Sequence, residues 1–223
     1  MALLKEEKIT MTIKFLSIGG KILHMKEKYY NKNILEILSL YTSDYSARFH
    51  LRKISNLIGK DTKTTSLNLN RLEKIRVLNS EKIGKHKEFS LNTKNRLTKY
   101  FLIMSEIYRT VEFLRKNFKI RKIAELVTDR VEVAVIFGSY AKGLATDDSD
   151  LDLIIVNGNL NEIVNDIENL YGIKISPKYF SKREFIRSQK NKDSFFIEIL
   201  NSHIILNGFD FFINTTWRNY YGY

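Results

Sequence analysis

Apolar residues recur at helical spacing through the first 130 positions and switch to strand-like runs from residue 131. Over residues 33–42, Ile34, Leu35, Leu38 and Tyr41 fall on one helical face. Leu51, Ile54, Leu57 and Ile58 repeat the pattern over residues 50–58, which stop at Gly59. Asp61 is placed to N-cap a third helix over 62–78, with Leu67, Leu69, Leu72, Ile75 and Leu78 inward. Residues 77–91 hold two short segments around a polar stretch with Gly84, which predicts a basic β-hairpin. A stripe of Leu97, Phe101, Met104, Ile107, Val111 and Leu114 predicts one long helix over 96–117, a connector or a dimer helix. Residues 119–128 form another. Ahead of these, residues 8–18 are β-branched and partly alternating before Gly19-Gly20. They read as a strand or arm, and Met25 is an alternative start.

The second half alternates differently. VEVAVIF (131–137) and LDLIIV (151–156) are strands, the first alternating and then fully apolar as a central strand should be. A further strand falls within 171–180, and 181–192 is a basic, polar stretch, a solvated helix face or an acceptor contact. The apolar run 193–213 is read as a sheet-covering helix, and the aromatic tail after it as packed or an interface. The expected organisation is α+β: an arm over 1–29, a small helical domain with a hairpin over 30–95, a helical connector over 96–130, and a domain with a mixed β-sheet over 131–223.

Composition narrows the chemistry. A 43% hydrophobic content is ample for a packed core and excludes global disorder. No run of 18 apolar residues predicts a membrane span, and the charged Lys5–Lys8 stretch stands where a signal peptide would be apolar, so the expected location is cytoplasmic. With no cysteine and four scattered histidines, a metal would be held by carboxylates, which favours magnesium or manganese. The net charge of +12 is uneven: residues 1–130 carry 28 basic against 13 acidic side chains, while 131–223 carry 9 against 12. A front half at +15 suits a polyanion, usually nucleic acid, although a Lys-rich solvated surface gives the same count.

The order helix, helix, tight turn at Gly59, helix, basic hairpin over residues 30–93 resembles the winged helix-turn-helix family of DNA-binding domains. Lys60, Lys63, Thr64, Thr65, Asn68 and Arg71 would supply donors to phosphates and base edges from the third helix. Lys82, Lys85, His86 and Lys87 would lie against the backbone from the hairpin. Double-stranded DNA is the partner this implies, with a dimerisation role as the alternative.

The strongest chemical signal lies between the two strands of the second half. Gly138-Ser139 sits where a strand turns into a short helix, so the backbone and the Ser hydroxyl can approach a triphosphate. Asp150 and Asp152 stand two apart at a strand start, so both carboxylates project from one face, an arrangement that calls for a shared cation. Leu151 and Leu153 point the other way. Gly-Ser, ten residues, then Asp-x-Asp between apolar strands resembles the minimal nucleotidyltransferases of the DNA polymerase β superfamily, over residues 120–213. The resemblance implies that Gly138 and Ser139 hold an NTP, that Asp150 and Asp152 are catalytic and ligate Mg2+ (Mn2+ as a substitute), and that a nucleoside monophosphate passes to protein, RNA or a small molecule. It also implies a third carboxylate on the next strand. Residues 171–180 contain none, and Lys174 and Ser176 occupy that face, with Glu184 and Glu198 farther along. Weak or absent turnover with NTP binding retained is therefore expected. The rival reading is a catalytically weak or inactive DNA-binding regulator or antitoxin, with a protein partner of toxin–antitoxin type or a homodimer.

Overall fold

The computed structural model describes residues 31–191 and 193–221, so the arm read over 1–29 and the start at Met25 lie outside the described residues. The first elements are α1 (Lys32–Ser39), β1 (Phe49–His50), α2 (Leu51–Ile58), α3 (Thr62–Lys74), β2 (Leu78–Ile83) and β3 (His86–Leu91). Side chains start all three of these helices: Asn31 Oδ1 accepts from Ile34 N at 3.2 Å, His50 Nδ1 from Lys53 N at 3.2 Å, and Asp61 Oδ1 from Thr64 N at 2.7 Å. Gly59, left-handed at φ 63°, ends α2. The three strands form an antiparallel sheet in the order β1-β3-β2.

Two sequence expectations need correction here. The third helix stops at Lys74, not 78, because Arg76 takes a left-handed φ of 56° and Leu78 already opens β2. Leu57 and Leu67 face solvent, 54% and 52% exposed, because Ile54, Thr65, Asn68, Leu69 and Leu72 supply the inward faces of α2 and α3.

A long helix, α4 (Arg96–Lys116), follows and packs against α1. Its buried face is Thr98, Phe101, Leu102, Ser105, Glu106 and Thr110, rotated from the predicted stripe, so Ile107 and Val111 are exposed. The rotation follows from polar groups that find partners inside. Glu106 is fully buried against Arg109 (2.8 Å) and His203 (3.1 Å). Arg109 also donates to Thr42 Oγ1 at 2.9 Å and to His203 O at 3.0 Å, and Thr110 to Ile205 O at 2.7 Å. This network joins the end of α1, α4 and the residues around 203–205.

The remaining elements are α5 (Phe118–Thr128), β4 (Val131–Ile136), α6 (Gly138–Lys142), β5 (Leu151–Gly158), α7 (Val164–Tyr171), β6 (Ile175–Phe180), α8 (Lys182–Asn191), α9 (Ser194–Asn201), β7 (Ile204–Asn207) and α10 (Phe209–Tyr221). They build a mixed four-stranded sheet, β6-β5-β4-β7, with β5 and β6 parallel and the other pairs antiparallel. The apolar run over 193–213 is therefore helix, strand, helix and not one covering helix. Short apolar runs fit either state, and here β7 gains its ladder on β4. Gly208 makes that exit: at φ 79°, a Cβ there would press on Val133 Cγ2 at 2.7 Å and Glu132 O at 2.8 Å.

Alternation along β4 and β5 divides the core. Val133, Val135, Ile154 and Val156 face one apolar cluster, which runs on through α10 and α4 to Ile34, Ile37 and Leu38 of α1. Ala134, Ile136, Leu151, Leu153 and Ile155 face a second, covered by α5 and α7.

Candidate active site at the β4–α6 turn

The first cluster's face of the sheet carries Asp152 at its edge, in the same alternation as Ile154 and Val156. β4 and β5 are antiparallel, so the end of β4 lies beside the start of β5, and Phe137 N donates to Asp152 O at 3.1 Å. Gly138 then turns with φ 67°. A Cβ built there would collide with the Asp152 carboxylate, so only glycine permits this approach of backbone to acid. The turn closes through Leu144 N to Ser139 O at 2.9 Å and a left-handed Gly143, φ 69°.

Register supplies the other neighbours. On parallel β6, Ser176 is the Cα partner of Asp152, and Lys178 lies opposite Ile154. Lys178 Nζ sits 4.4 Å from the Phe195 ring and 5.7 Å from Phe137. Lys174 Nζ stands 3.7 Å from Asp150 Oδ2, both partners well exposed. β6 thus offers lysine and serine toward the acids and no carboxylate. Burial, and after it the charges of Asp150 and Glu198, push the Asp152 carboxyl above its ordinary range, against the opposing pull of Ser176 and Lys178. Two acids so placed are stabilised by a cation.

The donor set fits a small divalent metal in one respect. Two adjacent carboxylates suit an ion whose remaining ligands come from phosphate oxygens and water. Among the described residues, no group of three His, Cys, Asp or Glu side chains converges to form a self-sufficient cage. A cleft of about 850 Å³ opens between α4 and the turn, with Tyr108, Lys116, Tyr140, Lys142 and Asp147 among its walls.

Glu184 and Glu198, the two acids beyond β6, differ in placement. Glu184 caps α8, its carboxylate accepting from Ser181 N at 2.7 Å. Glu198 on α9 instead meets Lys142 Nζ of α6 at 2.7 Å, at the rim of the site. The sequence offered no signal for this, since 56 residues separate the partners.

The proposed DNA contacts divide as well. Lys60, Lys63, Lys82, Lys85 and Lys87 are exposed and Thr64 is half-buried. Thr65 and Asn68 point inward: Thr65 Oγ1 donates to Asp61 O at 2.8 Å and Asn68 Nδ2 to Thr64 O at 2.8 Å, so neither reaches a base edge. Arg71 Nη1 donates to Asn68 Oδ1 at 3.3 Å, and Lys87 pairs with Glu73 at 2.8 Å. Lys82 and Lys87 are register partners across the hairpin, and Glu73 compensates the charge of Lys87.

A model of the family "Polymerase beta, Nucleotidyltransferase" matches residues 118–210, the segment that holds this turn, both aspartates and all four strands of the mixed sheet. The chain is also 30% identical over 112 residues to a protein of Methanocaldococcus jannaschii named "Putative protein adenylyltransferase MJ1305", a match that spans 45% of this chain and 72% of that one. No solved structure matches the chain. Among the described residues no helix is long and apolar enough to cross a membrane. The family model spans the turn and both aspartates, and together with the relative it shows that this chain belongs to the polymerase β nucleotidyltransferase family.

Proposed function

We propose that the protein transfers a nucleoside monophosphate from an NTP to a hydroxyl-bearing acceptor at the β4–α6 turn. The observation that carries this reading is the contact of Gly138 with Asp152, which brings the backbone of the turn directly against one of a pair of acids. Gly138 and Ser139 would hold the triphosphate, the Ser hydroxyl and the turn's N–H groups donating to it. Asp150 and Asp152 would hold magnesium, with manganese able to replace it, and the metal would neutralise charge on the transferred phosphate and the leaving pyrophosphate. Ser176, beside Asp152 in the parallel register, would help hold the carboxylate in its ionised form. The relative's name favours ATP as donor and a protein as acceptor.

Incubating the purified chain with ATP, CTP, GTP or UTP labelled at the α-phosphate, magnesium and cell lysate tests this. Label should appear on protein from ATP above the other nucleotides. It should vanish in the Asp150→Asn/Asp152→Asn variant. Label retained in that variant would contradict the assignment.

A second reading concerns residues 30–95, which we take as a unit, with 96–130 a connector to residues 131–223. The order α1-β1-α2-α3-β2-β3, with the sheet ordered β1-β3-β2, supports a winged helix-turn-helix. The exposed Lys60, Lys63, Lys82 and Lys85 and the partly paired Arg71 and Lys87 would contact duplex phosphates, with no role for Thr65 or Asn68 beyond packing. Binding should fall steeply with salt, by about 0.9 in log–log slope per phosphate contact. A gel-shift series with Lys82→Gln/Lys85→Gln should show a shallower slope by roughly 2. Absence of duplex binding at low salt would leave dimerisation as this region's role. The inverse weighting, a DNA-binding regulator or antitoxin with a weak transferase, rests on Ser176 and Lys174 standing where an acid would otherwise assist the dyad.

A further inference from the structure

One turn of α9 is docked on both ends of the β4–α6 turn. At one end the Phe195 ring meets Phe137 edge-on at 5.3 Å, immediately before Gly138. At the other, Glu198 Oε1 takes Lys142 Nζ at 2.7 Å. Residues 195 and 198 lie on the same helical face, so the two contacts act together. Lys142 is the last residue of α6, three positions after Ser139.

The ion pair is open to solvent, 40% and 49% exposed for Lys142 and Glu198. Pairs of this kind contribute little net stability, so the partners exchange readily. A triphosphate on Gly138-Ser139 would bring several negative charges within reach of the Lys142 chain, against the single charge of Glu198. Charge-assisted contacts to phosphate are the stronger ones. Lys142 leaving would uncover a carboxylate on the rim of the site. β6 supplies no acid, and Glu184 is committed to capping α8. The charge of Glu198 is already felt at Asp152, and its own carboxyl is held below the ordinary range by Lys142. Paired, it is a poor proton acceptor.

We propose that Lys142 and Glu198 form a latch opened by the nucleotide: Lys142 moves to the triphosphate, and the freed Glu198 takes the proton of the acceptor hydroxyl. In the step, the hydroxyl oxygen forms a bond to the α-phosphorus. The bond from that phosphorus to the oxygen bridging the β-phosphate breaks, and pyrophosphate leaves. The hydroxyl proton ends on Glu198. This inference rests on the reading of the site as an NTP-dependent transferase.

Calorimetric titration of the full chain with Mg·ATP, beside steady-state transfer to protein acceptor, tests it with Glu198→Gln, Lys142→Gln and the double variant. Lys142→Gln should weaken ATP binding by about tenfold. Glu198→Gln leaves Lys142 unpaired and should tighten it a few-fold, and the double variant should match Lys142→Gln. Glu198→Gln should also lower kcat by roughly 10²–10⁴ with KM unchanged or reduced. Unaltered ATP affinity in Lys142→Gln would overturn the latch, and unaltered kcat in Glu198→Gln, or no transfer by the wild type, would overturn the proton role. ATP binding that needs Asp150 and Asp152 but ignores Lys142 would sink the latch alone. No ATP binding by the wild type would sink the transferase reading with it.

Discussion

Glu106→Ala is expected to lower the melting temperature by on the order of 10 °C. The carboxylate is fully buried, and burial by itself would raise its pKa. His203 and Arg109 outweigh that and hold the carboxyl below its ordinary range. Removing one partner of such a buried pair leaves the opposing charge uncompensated, which costs roughly 3–5 kcal/mol. Each kcal/mol moves Tm by roughly 2–4 °C in a chain of this size. Because the folded pKa is depressed, the contribution is present above the unfolded value near 4.5 and is lost as pH falls through the folded one. Thermal melts followed by circular dichroism should therefore show wild type and Glu106→Ala converging in acid. Equal melting temperatures at neutral pH would show that the network does not tie α4 to the sheet. Glu106→Gln, which keeps an acceptor for Arg109, should lose less.

Asp152→Asn is expected to act in opposite directions on stability and on ligand binding. Without metal, burial and the neighbouring acids push the Asp152 carboxyl up. A raised acid favours its protonated form in the folded state. The penalty is thus present above the folded pKa and disappears below the unfolded value near 3.8. The asparagine variant should melt higher than wild type at neutral pH in chelator, with the gap closing toward pH 4. Magnesium and ATP should then stabilise wild type and leave the variant unmoved, since binding only the native state raises Tm by mass action. A variant that melts lower than wild type in chelator would mean that Asp152 is structural.

How much of this was readable beforehand depended on sequence distance. Gly138, Ser139, Asp150 and Asp152, the residues proposed to carry the chemistry, lie within 15 consecutive residues, and a glycine before an alternating acid pair specifies turn and strand locally. Gly59 and Asp61 announced the ends of α2 and α3 in the same way. Lys174 and Ser176 were also placed correctly by alternation, since a parallel register brings Ser176 beside Asp152. The largest misses are long-range. Glu106 and His203 are 97 residues apart, and a lone Glu on an amphipathic helix reads as solvent-facing until its partners are known. That pairing rotated α4 and exposed Ile107 and Val111. β7 was hidden because IILN fits a buried helix as well as a strand, and only the ladder on β4 decides. β1, two residues long, has no periodicity to detect. Thr65 and Asn68 looked like readers of DNA by residue type, but their side chains satisfy the backbone of α3 itself.

The central claim is that Asp150 and Asp152 bind a metal together with a nucleotide beside Gly138. Isothermal titration of the whole chain with ATP, in magnesium and in chelator, tests it most directly when repeated on Asp150→Asn/Asp152→Asn. The account predicts magnesium-dependent binding by wild type and none by the variant, with the variant still folded by circular dichroism. Equal ATP affinity for the two proteins in magnesium would contradict it.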